Sequence, residues 1–467
     1  MRPSLLLLAS ASARLLPPDA SLPPLPERTT LPCASPTRRA PVHFPPSFTR
    51  GFSPPIDFPM ESGYINVTSS DYLFYWYVGA TPSAPPDAPL LVWSNGGPGC
   101  SAMEGATTEG GPLWLFDAKL SRATAALSRN PYAWNAQAHL LFVDQPRYVG
   151  FSTGRGPRVA TSAAAAADML RFLLGWRAAF PEHAHRRLLL ASESYGGHYV
   201  PAWAAAILDH NARHAPRLPL AALLIGNGLI DGGVQQGSFA AFARAQRLIP
   251  PHAAPPTDGA ARRLVEQSLG YTPNLYDYRL RDVSCCGCTS YNYSAWARWF
   301  TRPEVKAALH VCGAAGDAAF GGCAAGCVDM GGFDLFDNYS YSAALSAALR
   351  AGVDVTLYYG KQDTACNYVG GRRVAEEALQ WGGARAFRSA AEQPLLVGGA
   401  RVGESRRATA GGATLSFVAV DGAGHMVPMD QGAAASLALQ TLISPRPAAT
   451  PAPPAKAAAP LAKASEI

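Results

Sequence analysis

Ser194 stands in Ser192-Glu193-Ser194-Tyr195-Gly196-Gly197, directly after the apolar run Arg187 to Ala191 and before a helix-like stretch. A serine hydroxyl is a weak nucleophile until a neighbouring base takes its proton. A sharp strand-to-helix turn would lift Ser194 clear of a sheet, and small neighbours let the backbone turn without a clash. Gly196 fits the G-x-S-x-G form of such a turn, whereas Ser192 stands where the first glycine belongs. An ordinary serine capping a helix is the plain alternative. A base needs an orienting carboxylate, and two more apolar runs end in suitable groups. Tyr359-Gly360-Lys361-Gln362-Asp363 closes one, and Asp421-Gly422-Ala423-Gly424-His425 closes the other. Asp421 and Asp430 are alternative carboxylates, but both lie too near His425 to come from a separate strand end.

Cleaving an ester or amide also needs donors for the developing oxyanion. Asn95-Gly96-Gly97-Pro98-Gly99 follows a strand-like run and can present free backbone N–H groups. Gly97 N–H and Tyr195 N–H are assigned to the oxyanion hole. No Lys-Ser/Thr follows the glycines, so the loop is not a phosphate cradle. The order Ser194, Asp363, His425 is that of α/β-hydrolases. This chemistry needs no cofactor.

Strands must hold these groups. Gly63 to Val67 and Tyr72 to Val78 read as a hairpin. Pro89 to Ser94, His139 to Val143, Arg187 to Ala191, Ala221 to Ile225, Val353 to Tyr359 and Leu415 to Val420 are continuous apolar runs. Unbroken apolarity suits strands buried on both faces of a parallel sheet. The clearest helix starts at Thr161 or Ser162 and stops before Pro181. Met169, Phe172, Leu173, Trp176 and Phe180 share one face, and Thr161 is its N-cap. Alternating strands and helices predict an α/β sandwich, with a central mostly parallel sheet and helices on both faces. The expected division is a signal peptide at 1–13, a proline-rich leader at 14–57 and a first core part at 58–231. A cysteine-rich insertion or cap follows at 232–337, with helical pieces at Ser238 to Leu248 and Pro303 to Val311. A second core part occupies 338–443 and an Ala/Pro tail 444–467.

The 467 residues are 48% hydrophobic and 15% charged, enough to bury a sizeable core, and the net charge of +6 gives no case for nucleic acid. The nine cysteines cluster without clean zinc-arm spacing, so disulfides and an oxidising compartment are expected, with at least one thiol left over and no metal. Arg2, the run Leu5 to Leu8 and Ala11-Ser12-Ala13 resemble a secretory signal; an arginine-rich transit peptide is the competitor. Three sequons, at Asn66, Asn292 and Asn338, favour the secretory pathway (secreted, vacuolar or lysosomal). No apolar run is long enough to span a membrane.

Trp93 to Ser101, Glu193 to Pro201, Gly226-Asn227-Gly228 and Gly424-His425-Met426-Val427-Pro428 resemble the motifs of the serine carboxypeptidase family, and Asp144-Gln145-Pro146 and Cys366-Asn367 fit as well. The resemblance covers about residues 62 to 440 and implies an α/β-hydrolase fold with an insertion. It also implies that Asn95, Glu109 and Glu193 bind the C-terminal carboxylate of a peptide or protein substrate, supported by Trp93. Cys100 and Cys323 match the pair the family joins, and Cys327 is a rival partner. Cys366 resembles a free thiol lining the substrate pocket, and Met426 of the histidine motif is a further supporting residue. Glu104 matches a position near the pocket of the leaving residue. Family members are often dimers, so a monomer or homodimer is expected. Ser192, Lys361 and Arg147-Tyr148 depart from the pattern.

If Glu109 and Glu193 face each other, one should hold a proton and donate a hydrogen bond to the substrate carboxylate, which predicts an acidic working range. Removal of C-terminal residues is therefore the expected activity. An acyltransferase on the same scaffold is the first rival, but it would not need two carboxylate-binding acids. A non-catalytic binding or protective protein is the second, and it would not need an intact Ser194, Asp363 and His425.

Overall fold

The apolar runs become the middle of an eleven-stranded sheet. The computed structural model describes residues 38–49, 52, 55–117, 122–282, 291, 293–313, 315–320, 327–330, 332–333 and 337–443. Its strands are β1 (Ala40–Pro41), β2 (Met60–Asn66), β3 (Tyr72–Val78), β4 (Leu90–Ser94), β5 (Leu113–Asp117), β6 (Arg122–Arg129), β7 (His139–Val143), β8 (Leu188–Glu193), β9 (Leu220–Gly226), β10 (Asp354–Gly360), β11 (Gln393–Val397), β12 (Ala400–Ala410) and β13 (Ala413–Val420). The order in the large sheet is β1-β2-β3-β7-β4-β8-β9-β10-β13-β12-β11. From β7 to β13 all neighbours are parallel. The outer strands on both sides pair antiparallel.

Each central strand feeds two cores. Leu90 and Val92 of β4 join one cluster, and Leu91 and Trp93 join the other; β8 divides Leu188 and Leu190 from Leu189 and Ala191 in the same way. With both faces covered, alternation has no polar partner residue, which is why these strands read as unbroken apolar runs. The first face carries the helices Ser162–Ala179 and Gly196–Arg213, through Met169, Phe172, Leu173, Trp176, Tyr199 and Trp203. Thr161 caps the first of these by accepting from Ala164 N at 3.1 Å. The second face receives Ala434, Ala435 and Leu439 of the helix Gly432–Ile443. This is the expected α/β-hydrolase architecture.

The hairpins β5–β6 and β11–β12 were not among the expected strands. β12 reads ARVGESRRATA, and its side chains are mostly exposed or half-buried. Such a strand has no apolar face to signal it; Arg372, Arg401 and Arg406 pair instead with Glu404, Glu376 and Glu392 around it. Packing also starts earlier than expected. β1 pairs with β2, Val42 and Phe58 are buried, and the Phe44 ring meets Trp76 and Trp299 at 5.7 Å. Part of the stretch read as leader thus belongs to the packed body; residues 1–37 and 444–467 lie outside the described residues.

Between β9 and β10 the described chain forms helices, among them Phe239–Ala245, Asp258–Leu269, Ser294–Phe300 and Pro303–Ala308. The two expected helical pieces therefore stop short of Leu248 and Val311. Tyr293, Trp296, Trp299 and Phe300 join the second core, so this segment is packed onto the sheet.

Candidate active site

Ser194 has φ 57°, a left-handed conformation that costs a side-chain-bearing residue and marks a sharp turn between β8 and the helix Gly196–Arg213. Leu229 N donates to Ser194 O at 2.8 Å and Ser194 N donates to Gly226 O at 3.0 Å, which holds the turn. The departure at Ser192 has a local explanation. Its hydroxyl donates to the carbonyl of Ser94, tying the turn to β4. A Cβ on Gly196 would lie 2.0 Å from Ser192 Oγ, so this serine makes a glycine at 196 obligatory.

Asp363 and His425 leave the adjacent strands β10 and β13 and meet with His425 Nδ1 2.7 Å from Asp363 Oδ2. Asp363 is fully buried and also accepts from Ala365 N (2.8 Å), Cys366 N (3.2 Å) and Asn227 Nδ2 (2.7 Å). These bonds leave Nδ1 of His425 as the donor and Nε2 as the free, basic nitrogen. No hydrogen bond among the described residues joins Ser194 to His425; such contacts often tighten only when substrate enters. Asp421 and Asp430 are used elsewhere. Asp421 pairs with Lys361 at 2.8 Å, and Asp430 accepts from Gly424 N at 2.7 Å. Lys361 also meets Glu404, which holds its charge away from Asp363.

The loop meets the turn at Gly96, where a Cβ would lie 2.6 Å from Tyr195 N. Gly97 itself has φ 109°, which favours glycine. The loop is pinned by a disulfide, which decides between the two partners left open for Cys100. Cys100 is bonded to Cys327, not Cys323, because an antiparallel bridge sets Cys100 opposite Cys327 and Val328 N donates to Gly99 O at 2.9 Å. Cys323 lies outside the described residues, as do Cys285, Cys286 and Cys288. Cys366 is a free thiol of intermediate burial, and desolvation raises its pKa well above the usual value.

Beside the turn, Asn95 Nδ2 reaches Glu193 Oε1 at 3.0 Å and Glu109 Oε1 at 3.4 Å. Trp93 Nε1 and Gly105 N donate to Asn95 Oδ1 at 2.8 and 3.1 Å, which fixes the amide so that its NH2 faces the acids. Glu109 and Glu193 interact directly, and Glu109 Oε2 and Glu193 Oε2 are buried without a further partner. Burial pushes both carboxyls up; Glu109 further opposes ionisation of Glu193, whereas the hydrogen bond from Glu193 favours the charged form of Glu109. The helix Met103–Thr108 that presents Glu109 at its end starts on Asp144, which accepts from Ser101 Oγ (2.6 Å) and Ala102 N (2.8 Å). Arg147, a second departure, is bound by Asp168 (2.6 Å) and Asp71 (3.1 Å) and so serves the loop after Asp144. Met426 is buried next to His425. Asn66 and Asn338 are exposed, and Asn292 lies outside the described residues.

Three residues of the site carried no assigned role in the sequence. Asn227 (φ 40°) both donates to Asp363 and accepts from Gly360 N at 3.1 Å; its place between two glycines at a strand end was the available signal. Tyr276 stacks on the His425 ring with centroids 4.3 Å apart, and its carbonyl accepts from His425 N at 2.8 Å. Asp337 accepts from Tyr195 Oη, Tyr341 Oη and Ser162 Oγ at 2.7, 2.7 and 2.6 Å, anchoring the Tyr195 side chain. Neither lies in a pattern that marks such a role.

The family model described as serine carboxypeptidase matches residues 49–255 and 261–445. Carboxypeptidase Y homolog A of Botryotinia fuckeliana is 30% identical over 413 residues, covering 79% of this chain and 70% of the relative. Serine carboxypeptidase 3 of Oryza sativa subsp. japonica is 28% identical over 401 residues, covering 79% and 76%. Among solved structures, the prohormone-processing carboxypeptidase Kex1(Δ)p of Saccharomyces cerevisiae aligns with TM-score 0.64 at 25% identity, covering 83% of this chain and 90% of that one.

Proposed function

The chain belongs to the serine carboxypeptidase family and is a serine-type carboxypeptidase, and from that premise we propose that Ser194, Asp363 and His425 are its catalytic residues and that Asn95, Glu109 and Glu193 select the free end of the substrate. Ser194 Oγ attacks the last peptide carbonyl while His425 Nε2 takes its proton. Asp363 keeps Nδ1–H pointed at itself and stabilises the imidazolium. Gly97 N–H and Tyr195 N–H receive the oxyanion. The imidazolium passes its proton to the leaving amine, the C–N bond breaks, and water then releases the acyl group by the same steps in reverse.

The carrying observation is the buried Asn95–Glu109–Glu193 cluster one residue from Ser194. A carboxylate substrate would be repelled by two ionised acids, but a shared proton turns the pair into a donor. Because burial raises both acids, that proton is present in acid and lost as the pH rises. Substrate affinity therefore falls towards alkaline pH, which supports an acidic working range. The Cys100–Cys327 disulfide and the exposed Asn66 and Asn338 sequons support residence in the secretory pathway.

The test is amino-acid release from an N-blocked dipeptide across pH, with Ser194→Ala alongside. Release in acid that falls by about 10⁴-fold or more in the variant is expected. Activity surviving in the variant identifies another nucleophile. Transfer from acyl-glucose donors without peptide cleavage would make the protein an acyltransferase.

A further inference from the structure

Both proposed oxyanion donors are braced by one returning stretch of chain, whose described residues are 327–330, 332–333 and 337. On the side of the glycine-rich loop, Cys327 is bonded to Cys100, and Val328 N donates to Gly99 O at 2.9 Å. On the side of the nucleophile turn, the Phe333 ring meets the Tyr195 and Tyr199 rings with centroids 5.9 and 6.0 Å apart. Asp337 then closes on the Tyr195 hydroxyl.

The Asp337 side chain is 2% exposed, and both its oxygens are engaged. Oδ2 accepts from Ser162 Oγ (2.6 Å) and Tyr195 Oη (2.7 Å), with His198 Nδ1 at 3.4 Å. Oδ1 accepts from Ser162 N (2.9 Å) and Tyr341 Oη (2.7 Å). Burial opposes the charge, but the bonds from His198, Ser162, Tyr341 and Tyr195 outweigh it and hold the carboxyl below the usual carboxylate range. Asp337 therefore stays ionised, and its bond to Tyr195 is charge-assisted.

Resting on the proposed role of the Tyr195 N–H, this anchor bears on the reaction. That N–H belongs to the peptide unit between Ser194, at φ 57°, and Tyr195, at φ −58° and ψ −11°. A residue with a side chain stays left-handed only where its surroundings over-determine it. The peptide unit is planar, so any rotation that relaxes Ser194 also swings the Tyr195 N–H. The bonds to Gly226 and from Leu229 grip Ser194 itself. Beyond it, the Tyr195 side chain is fixed at its tip by Asp337 and against its ring by Phe333. We propose that Asp337 is a positioning residue, which fixes the direction of the Tyr195 N–H through the Tyr195 side chain. The stretch that pins the Gly97 loop thereby sets the second oxyanion donor as well. The oxyanion forms only as the carbonyl is attacked, so this bracing acts on kcat and leaves substrate binding alone.

Two tyrosines give a matched test. Tyr195 and Tyr341 are both buried and both donate to Asp337 at 2.7 Å, but only Tyr195 follows Ser194. The experiment measures kcat and KM for an N-blocked leucine dipeptide, the Kd of an N-blocked amino-acid aldehyde, and Tm. It compares wild type, Tyr195→Phe, Tyr341→Phe, Asp337→Asn and the double variant Tyr195→Phe/Asp337→Asn, with Ser194→Ala alongside. Addition of Ser194 Oγ to the aldehyde carbonyl places an oxygen at the oxyanion position. Tyr195→Phe should lower kcat and weaken aldehyde binding by about tenfold each, less than the ~10²-fold loss from deleting a donor, with KM within about twofold of wild type. Tyr341→Phe should leave kcat, KM and aldehyde binding within about twofold while lowering Tm as Tyr195→Phe does. Asp337→Asn should lose at least as much kcat as Tyr195→Phe, and the double variant no more than Asp337→Asn alone. Should Asp337→Asn fail to fold, the two tyrosine variants and the aldehyde still decide. Equal kinetics in Tyr195→Phe and Tyr341→Phe overturn the proposal and leave Asp337 a packing group. A loss confined to KM also overturns it, because the Tyr195 hydroxyl would then serve substrate binding. Both of these outcomes leave Ser194 standing as the nucleophile. Release that persists in Ser194→Ala overturns the proposed nucleophile and this inference together.

Discussion

At the C-terminal ends of the parallel strands, Glu104, Glu109 and Glu193 are buried, and Oε2 of Glu109 and Oε2 of Glu193 have no hydrogen-bond partner. At the opposite end, the Tyr77 hydroxyl sits between His139 Nδ1 (2.8 Å) and His183 Nε2 (3.0 Å). Ala80 N also donates to His139 Nδ1 at 3.2 Å, so that nitrogen carries no proton. Tyr77 therefore donates to His139 and accepts from His183 Nε2–H. One force shapes both clusters. Desolvation penalises the charged form, so it pushes the acids up and pulls both histidines down to about 4. The histidine cluster uses its neutrality to close a hydrogen-bond chain within the fold. In its proposed role the carboxyl cluster keeps its neutrality for a ligand, which would separate a binding site from packing that is merely polar.

The sharpest way to break this comparison is to remove the proton-sharing at the site. In wild type, kcat/KM should fall about tenfold per pH unit once the Glu109–Glu193 pair ionises. Glu193→Gln cannot ionise and still offers an N–H. Its activity should be roughly 10- to 100-fold lower in acid, because the strongest hydrogen bond to substrate is weakened. The alkaline fall should nevertheless be shallower. Release from an N-blocked leucine dipeptide over pH 4 to 8 reads both effects. An unchanged alkaline limb in the variant would place the titrating group elsewhere.

A smaller effect separates positioning from packing. Asn227→Ala removes the amide that holds Asp363, and should lower kcat by about tenfold, consistent with one charge-assisted bond, while KM stays near its wild-type value. Tyr77→Phe removes one hydroxyl from the other end. It should leave kcat and KM alone and cost roughly 1–2 kcal/mol of stability in denaturant unfolding. Equal kinetic effects from the two variants would mean that the sheet transmits strain between its ends.

Legibility in the sequence follows from the same division. Groups at strand ends could be read because apolar runs followed by glycine-rich turns mark where a parallel strand stops, as at Ser194, Asp363 and His425. Residues that act across the sheet could not. Tyr276 meets His425 from 149 positions away, in a segment with no apolar period. His139 and His183 looked like ordinary polar residues flanking two strands, and only the packing of Tyr77 joins them. β12 was missed because ion pairs, not burial, hold its outer face. The partner of Cys100 needed the Gly99–Val328 bond, which spacing alone does not reveal.

The two clusters also pull stability in opposite directions with pH. Acids raised in the fold bind protons that the unfolded chain has already lost, so their contribution falls as pH rises from about 4.5 towards 8. Histidines lowered in the fold stay neutral while the unfolded chain takes up protons, so their contribution is full above about 6.5 and is lost as pH falls towards 4. Arg186 helps hold them down, and Glu182 opposes it at His183. The two ranges overlap between about 4.5 and 6.5, and there the two slopes oppose each other. His139→Gln keeps an acceptor for Ala80 N and Tyr77 but removes one titration. The stability difference between pH 7 and pH 4 should then shrink by about 1 kcal/mol, a figure discounted because His139 is only partly buried. Denaturant unfolding of wild type and variant at the two pH values measures it. A gap that does not shrink would show that His139 is already protonated in the fold at pH 4 to the same extent as in the unfolded chain, and the contrast between the two ends would then rest on His183 alone.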